Sequence, residues 1–199
     1  MMPSSAAAPE LPPFSTAGPG HLYLLGLPGA GKTTIGRRLA AHFGWEFRDL
    51  DADIVAQSGQ SIPEIFAAEG EVGFRQREAA ALRAVAGRPG PPLVLATGGG
   101  TPCFHDNLAV LHQTGFTLWL DVPVPELVRR LVRSPHTRPL LAATEPGEAP
   151  EKALFDRLHR TLAARQQFYG QARLRHAGAA TVAALTAALA RAGFRPGLT

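Results

Sequence analysis

Short apolar runs alternate with longer amphipathic ones along most of the chain. Leu22-Tyr23-Leu24-Leu25, Leu93-Val94-Leu95-Ala96 and Phe116-Thr117-Leu118-Trp119-Leu120 are almost wholly apolar, the pattern of strands buried on both faces of a parallel sheet. The first of these strands is taken from His21 to Leu25. Trp45-Glu46-Phe47-Arg48-Asp49 alternates and predicts a shorter second strand, and Leu174 to Ala177 a weak final one. Helical spacing fills the intervals. One helix is predicted from Lys32 to Phe43, stopped by Gly44, and a turn or two from Asp51 to Gln57, stopped by Ser58-Gly59. Ser61-Ile62-Pro63-Glu64 has the form of a capping box with proline in the first turn, so a helix starts there. Gly70 breaks it and a longer helix follows from Val72 to Val85. Further helices are expected from Asp106, from Pro125, over Glu151 to Tyr169, and over Ala179 to Ala192.

Strands that alternate with helices predict an α/β fold in three layers, a five-stranded parallel sheet flanked by helices. Ligands of such sheets bind beyond the carboxyl ends of the strands. The segments following the first three strands are chemically loaded: a glycine-rich loop, Asp49-Leu50-Asp51, and Gly98-Gly99-Gly100. All three should face one crevice.

The chain has 199 residues, enough for one full-sized core, and a single domain is expected over 21–199. The Pro/Ala/Ser-rich residues 1–20 lack a basic start and a long apolar centre. They read as a disordered tail rather than a signal peptide. Net charge is +4, but only Lys32 and Lys152 among the twenty basic residues are lysines. The arginines lie scattered at helical spacings, not in a dense run with aromatics, which argues against a nucleic-acid partner. One cysteine, Cys103, excludes an internal disulfide. His105 and His112 could share a helix face, and solvated surface is the simpler reading, so no zinc site is expected. With no apolar run of membrane length, a cytoplasmic protein without a membrane partner is expected. A monomer is the simplest assembly.

Gly26-Leu27-Pro28-Gly29-Ala30-Gly31-Lys32-Thr33 fits the G-x-x-x-x-G-K-[ST] pattern between a predicted strand and a predicted helix. The glycines let successive N–H groups of Gly29, Ala30, Gly31 and the helix start, through Thr34, converge on one anion, and the helix dipole adds to the field. Lys32 would reach the outer phosphates, and the Thr33 hydroxyl would hold a magnesium ion. Asp49 and Asp51 alternate, so in extended chain their carboxylates leave in the same direction. One could serve the metal and the other a substrate hydroxyl, although Asp51 and Asp53 also suit an acidic first helical turn, with Asp53 itself read as a solvated helix-start residue. The third strand carries no acidic residue at its end, which leaves the metal carboxylate to Asp49. Three consecutive glycines suggest a ligand lying directly on the backbone. Arg75, with Glu78 three residues on, and Arg165, four residues before Tyr169, are by default solvated. From Ser134 to Pro150 the composition predicts a mobile loop around Arg138-Pro139-Leu140-Leu141, where a positive charge could close over phosphates.

With these pieces in order the chain resembles a shikimate kinase from about Leu22 to Tyr169. The resemblance is carried by GLPGAGKTTIGRRLA, the DLD of FRDLD, SGQSIPEIFAAEGEVGFRQRE, GGG, RPLL and R-x-x-x-Y. It implies a phosphate-loop kinase fold with a mobile lid at about 134–150 and substrate-binding helices at about 51–86. It also implies ATP-dependent phosphorylation of the 3-hydroxyl of shikimate, a step toward chorismate and the aromatic amino acids. Position by position it implies Lys32, Asp51 and Arg138 as catalytic, and Lys32, Thr33 and Arg138 on the nucleotide. Thr33 and Asp49 would hold Mg2+, and Asp51, Arg75, Gly98, Gly99, Gly100 and Arg165 would hold shikimate. Leu174-Arg175-His176-Ala177-Gly178 departs from relatives in lacking their acidic turn, which puts nucleotide contacts there in doubt. A gluconate-type kinase and a non-catalytic nucleotide-binding switch are the competing expectations.

Overall fold

A computed structural model describes residues 20–133, 149–178 and 180–196. The element order is β1 (His21–Leu25), α1 (Lys32–Phe43), β2 (Glu46–Asp49), α2 (Leu50–Ser58), α3 (Ile62–Ala86) and β3 (Leu93–Ala96). A 3-10 turn at Thr101–Cys103 leads to α4 (Asn107–Thr114), β4 (Gly115–Asp121), α5 (Val124–Val132), α6 (Pro150–Tyr169), β5 (Leu174–Ala177) and α7 (Val182–Arg191). The tail expected at 1–20 lies almost wholly outside the described residues, as do 134–148 of the expected lid.

The sheet is parallel with strand order β2-β3-β1-β4-β5. All residues of β1 and β3 are buried, as two-face coverage requires, whereas the edge strand β5 buries none fully. An aromatic cluster of Phe43, Trp45, Phe116 and Phe194 ties the end of α1 and the start of β4 to the chain after α7. The expected helix boundaries hold to within a few residues. At the start of α3 the capping box forms as the sequence implied: Ser61 N donates to Glu64 Oε2 at 2.7 Å and Glu64 N to Ser61 Oγ at 3.4 Å. Gly70 interrupts α3 at φ 68°, ψ −170°, and Glu69 pairs with Arg77 across the kink. Asp106 stands before α4, but at φ 55° its side chain makes no cap bond.

Register places the site. Ala96 pairs with both Leu24 and Asp49, so the chain leaves β1, β2 and β3 at nearly one level. Thr97 seals the junction, its N–H and hydroxyl both donating to Leu24 O, at 3.2 and 3.0 Å. The three loaded segments therefore begin side by side at the same sheet edge.

Candidate active site

The loop from Gly26 to Gly31 wraps the start of α1. Gly26, Gly29 and Gly31 have φ of 139°, 82° and 90°, in the region where a side chain is strained. Lys32 is 9% exposed, and its ammonium donates to Gly26 O at 2.8 Å and Leu27 O at 3.1 Å. The lysine thus braces the loop whose N–H groups it completes. Residues Gly29 to Thr34 line a cleft of about 980 Å3 with Asp49, Asp51, Thr97, Arg130 and Leu131.

Thr33 Oγ1 donates to Asp49 Oδ2 at 2.7 Å, and Asp49 Oδ1 accepts from Asp51 N at 3.2 Å. Asp49 is therefore both the N-cap of α2 and the partner of the phosphate-loop hydroxyl. The capping and the metal interpretations of this acidic turn are compatible. One carboxylate oxygen serves each. A hydroxyl and a carboxylate side by side form the hard oxygen donor set that magnesium takes.

The glycine triplet follows a different logic from the phosphate loop. None of its members has a left-handed φ; what they supply is space. A Cβ on Gly98 would lie 2.6 Å from Glu78 Oε1 and 3.2 Å from Asp51 Oδ1. One on Gly99 would lie 3.1 Å from Arg165 Nη1, and one on Gly100 within 2.7 Å of three Arg75 guanidinium atoms. The sequence suggested a ligand on bare backbone, and the first occupants of that space are the protein's own charged groups. The triplet draws Asp51, Arg75 and Arg165 from three different helices onto one turn.

Arg75 corrects the expectation of a solvated arginine: it is 4% exposed. Its Nη1 donates to Glu78 Oε2 at 2.8 Å and its Nη2 to Glu71 Oε1 at 3.1 Å. The guanidinium also lies 4.5 Å from the centre of the Phe104 ring and 5.1 Å from that of Phe74. Glu78 is fully buried and accepts from Thr101 Oγ1 at 2.6 Å. Carboxylates and rings fix the fork's direction before any ligand arrives, which is the geometry that planar carboxylate recognition needs. Arg165, half-buried on α6, stands across the turn from it.

A family model for shikimate kinase matches residues 28–187. The chain belongs to the shikimate kinase family. Shikimate kinase of Synechococcus elongatus is 46% identical over 154 residues, covering 77% of this chain and 75% of its own. That of Symbiobacterium thermophilum is 42% identical, covering 76% and 82%. Among solved structures, shikimate kinase from Acinetobacter baumannii in complex with shikimate superposes with a TM-score of 0.74 at 38% identity, covering 87% of this chain and 93% of that one. A gluconokinase from Sinorhizobium meliloti gives a TM-score of 0.54 at 19% identity over 87% and 93%, a likeness of fold alone.

For this kinase the lid arginine expected at Arg138 lies outside the described residues. Sequence reasoning passed over Arg130 of α5, which lines the cleft with its Nη1 3.4 Å from Gly29 O and is held by Glu126 through an Nε bond of 2.7 Å. The Glu126–Arg130 spacing of one helical turn was the available signal. Asp53, expected to be solvated, pairs with Arg48 at 3.0 Å and is 16% exposed. His112 also departs from its expected solvated place: it is half-buried, while His105 precedes α4 and shares no helix face with it. No group of metal-ligating side chains of zinc type occurs among the described residues, and no helix is long and apolar enough to cross a membrane.

Proposed function

We propose that the protein transfers the γ-phosphoryl group of ATP to the 3-hydroxyl of shikimate. The observation that carries this reading is the convergence of Asp51, Arg75 and Arg165 on Gly98–Gly100, beside the phosphate loop. Shikimate bears one carboxylate and three ring hydroxyls. Arg75 and Arg165 grip the carboxylate with charge-assisted bonds. Asp51 Oδ1, beside Gly98, accepts the hydrogen bond of the attacking hydroxyl and takes its proton as the oxygen turns nucleophile.

On the other side, Gly29, Ala30, Gly31 and Thr34 offer N–H groups to the phosphates, and Lys32 neutralises charge on the transferring group. Thr33 and Asp49 would hold Mg2+, which when bound would supply positive charge to offset that of the phosphates. Transfer passes through a loose transition state, so positioning and charge neutralisation carry most of the rate. Arg130 adds a cation at the loop's outer face, and the resemblance would give Arg138 a place on the nucleotide as a further positive charge. Gluconate has a carboxylate but no ring to place its hydroxyls at fixed angles from it, and a gluconate-type activity has only fold-level likeness behind it. A cytoplasmic monomer acting on ATP and shikimate is the accompanying reading. NMR of the product tests the regiochemistry: phosphorus coupling to the proton on C3 supports it, and coupling at another ring carbon rejects it.

A further inference from the structure

The Tyr169 hydroxyl lies where the two halves of the acceptor pocket meet. Tyr169 ends α6, is fully buried, and packs its ring 5.7 Å from that of Trp119 on β4. Its hydroxyl donates to Gly99 O at 2.5 Å, across seventy residues of sequence. The Arg165 guanidinium, one helical turn earlier on the same face, lies near enough to bear on the phenol electrostatically. It also approaches Gly99 from the other side, 3.1 Å from where a Cβ would stand. Phenol and arginine therefore meet at one residue of the glycine turn. Burial pushes the phenol up to about 12, so the group keeps its proton, and its donor role, at every working pH.

We infer that Tyr169 is a positioning residue for the acceptor: its hydroxyl fixes the Gly99 carbonyl, and with it the turn that Arg165 rests against, and so sets where the substrate carboxylate is held relative to Asp51. This rests on the reading of Arg165 as a carboxylate-binding group. An arginine on a free helix face has several rotamers, and an acceptor that must select one binds less tightly. By holding Gly99 O, the phenol fixes the surface against which Arg165 lies and restricts that choice with no contact to substrate. The ring belongs to the core beside Trp119, and the hydroxyl faces the glycine turn of the pocket.

The test is Tyr169→Phe in the full chain, which keeps the ring against Trp119 and removes one oxygen, measured beside Arg165→Ala and the double variant. Steady-state kinetics are run with shikimate and with ATP varied, and melting temperature is read on the same samples. Tyr169→Phe is expected to raise the KM for shikimate about tenfold and to change the KM for ATP less than twofold. In the Arg165→Ala background the same change should add less than twofold, because the group it positions is gone. A shikimate KM unchanged in Tyr169→Phe overturns the proposal, as does an equal rise for both substrates or full additivity in the double variant. If Arg165→Ala itself leaves the shikimate KM unmoved, the carboxylate reading falls and takes this role with it. A silent Tyr169→Phe beside an impaired Arg165→Ala removes the positioning role alone.

Discussion

Thr33 and Asp49, sixteen residues apart, share a 2.7 Å hydrogen bond at the mouth of the phosphate loop. The bond joins the first turn of α1 to the end of β2 and makes two hard oxygen ligands adjacent without any acidic residue at the end of β3. Thr33→Ala and Asp49→Asn should each lower kcat/KM for ATP by about 10–100-fold and raise the magnesium concentration giving half-maximal rate. Thr33→Ser should retain most activity. A magnesium titration of the three variants checks this; unchanged half-saturation in both impaired variants would remove the pair from the metal site.

Lys32 and Arg165 should fail in different ways. In the proposed reaction Lys32 serves the transferring group, so Lys32→Ala should lower kcat by about 10²–10³-fold. Arg165→Ala removes a bond that the proposed pocket makes before the chemistry begins. It should raise the shikimate KM by about thirtyfold, roughly 2 kcal/mol, with a smaller change in kcat. Initial rates over a grid of both substrates separate the two. An untouched shikimate KM in Arg165→Ala would detach α6 from the acceptor pocket.

Gly100→Ala places a methyl group 2.6 Å from Arg75 Nη2, and Arg75 cannot retreat because Glu71 and Glu78 hold it. The guanidinium fork must shift or tilt, and misplacement of about 1 Å at such a site costs on the order of a hundredfold in rate. The shikimate KM should rise and kcat fall, while ATP binding, followed by displacement of a fluorescent nucleotide, stays near that of the parent. Gly59→Ala, outside the cleft and with nothing within 4 Å of its Cβ, is the control for strain alone: its φ of 68° should cost stability and leave the shikimate KM unchanged.

Much of this was legible before any coordinates. The helix and strand pattern followed from periodicity, the phosphate loop from its spacing, and the Gly70 break from one residue, because each is a local property of a few neighbouring positions. Arg75 was not legible as a buried group. Its burial depends on Phe104 and the Gly100 turn arriving from a segment that local spacing cannot place against it. Arg130 was passed over for the same reason, since its contact with Gly29 O spans a hundred residues. The triplet was legible as a place of close approach, but not the side chains of Glu78, Arg75 and Arg165 that stand against it, which come from distant helices. Asp53 and His112 looked solvated because polar residues usually are, and Arg48 and the packing around α4 decide otherwise.

His21 and His112 give stability a pH dependence of defined sign. Burial, with Arg88 near His21 and Arg173 near His112, lowers both imidazoles from their ordinary value of 6.5. The unfolded chain then binds more protons than the folded one as pH falls below about 6.5. The stability these groups contribute is complete above that value and is lost as pH drops through their lowered folded values. His21 Nδ1 accepts from Leu93 N at 3.2 Å, so protonation there also opposes a β3 contact. Melting temperature should fall between pH 7 and pH 5, and His21→Gln should flatten that fall. A melting temperature constant over this range would contradict the assignment.

The central claim is that this pocket phosphorylates shikimate, and acceptor-dependent ADP release measures it directly. The enzyme is given ATP and magnesium with shikimate, quinate, gluconate or no acceptor. Rapid ADP release with shikimate, and background release in the other three, is the predicted result. Equal release in all four, or a preference for gluconate, would contradict the claim and leave the Asp51–Arg75–Arg165 convergence without its substrate.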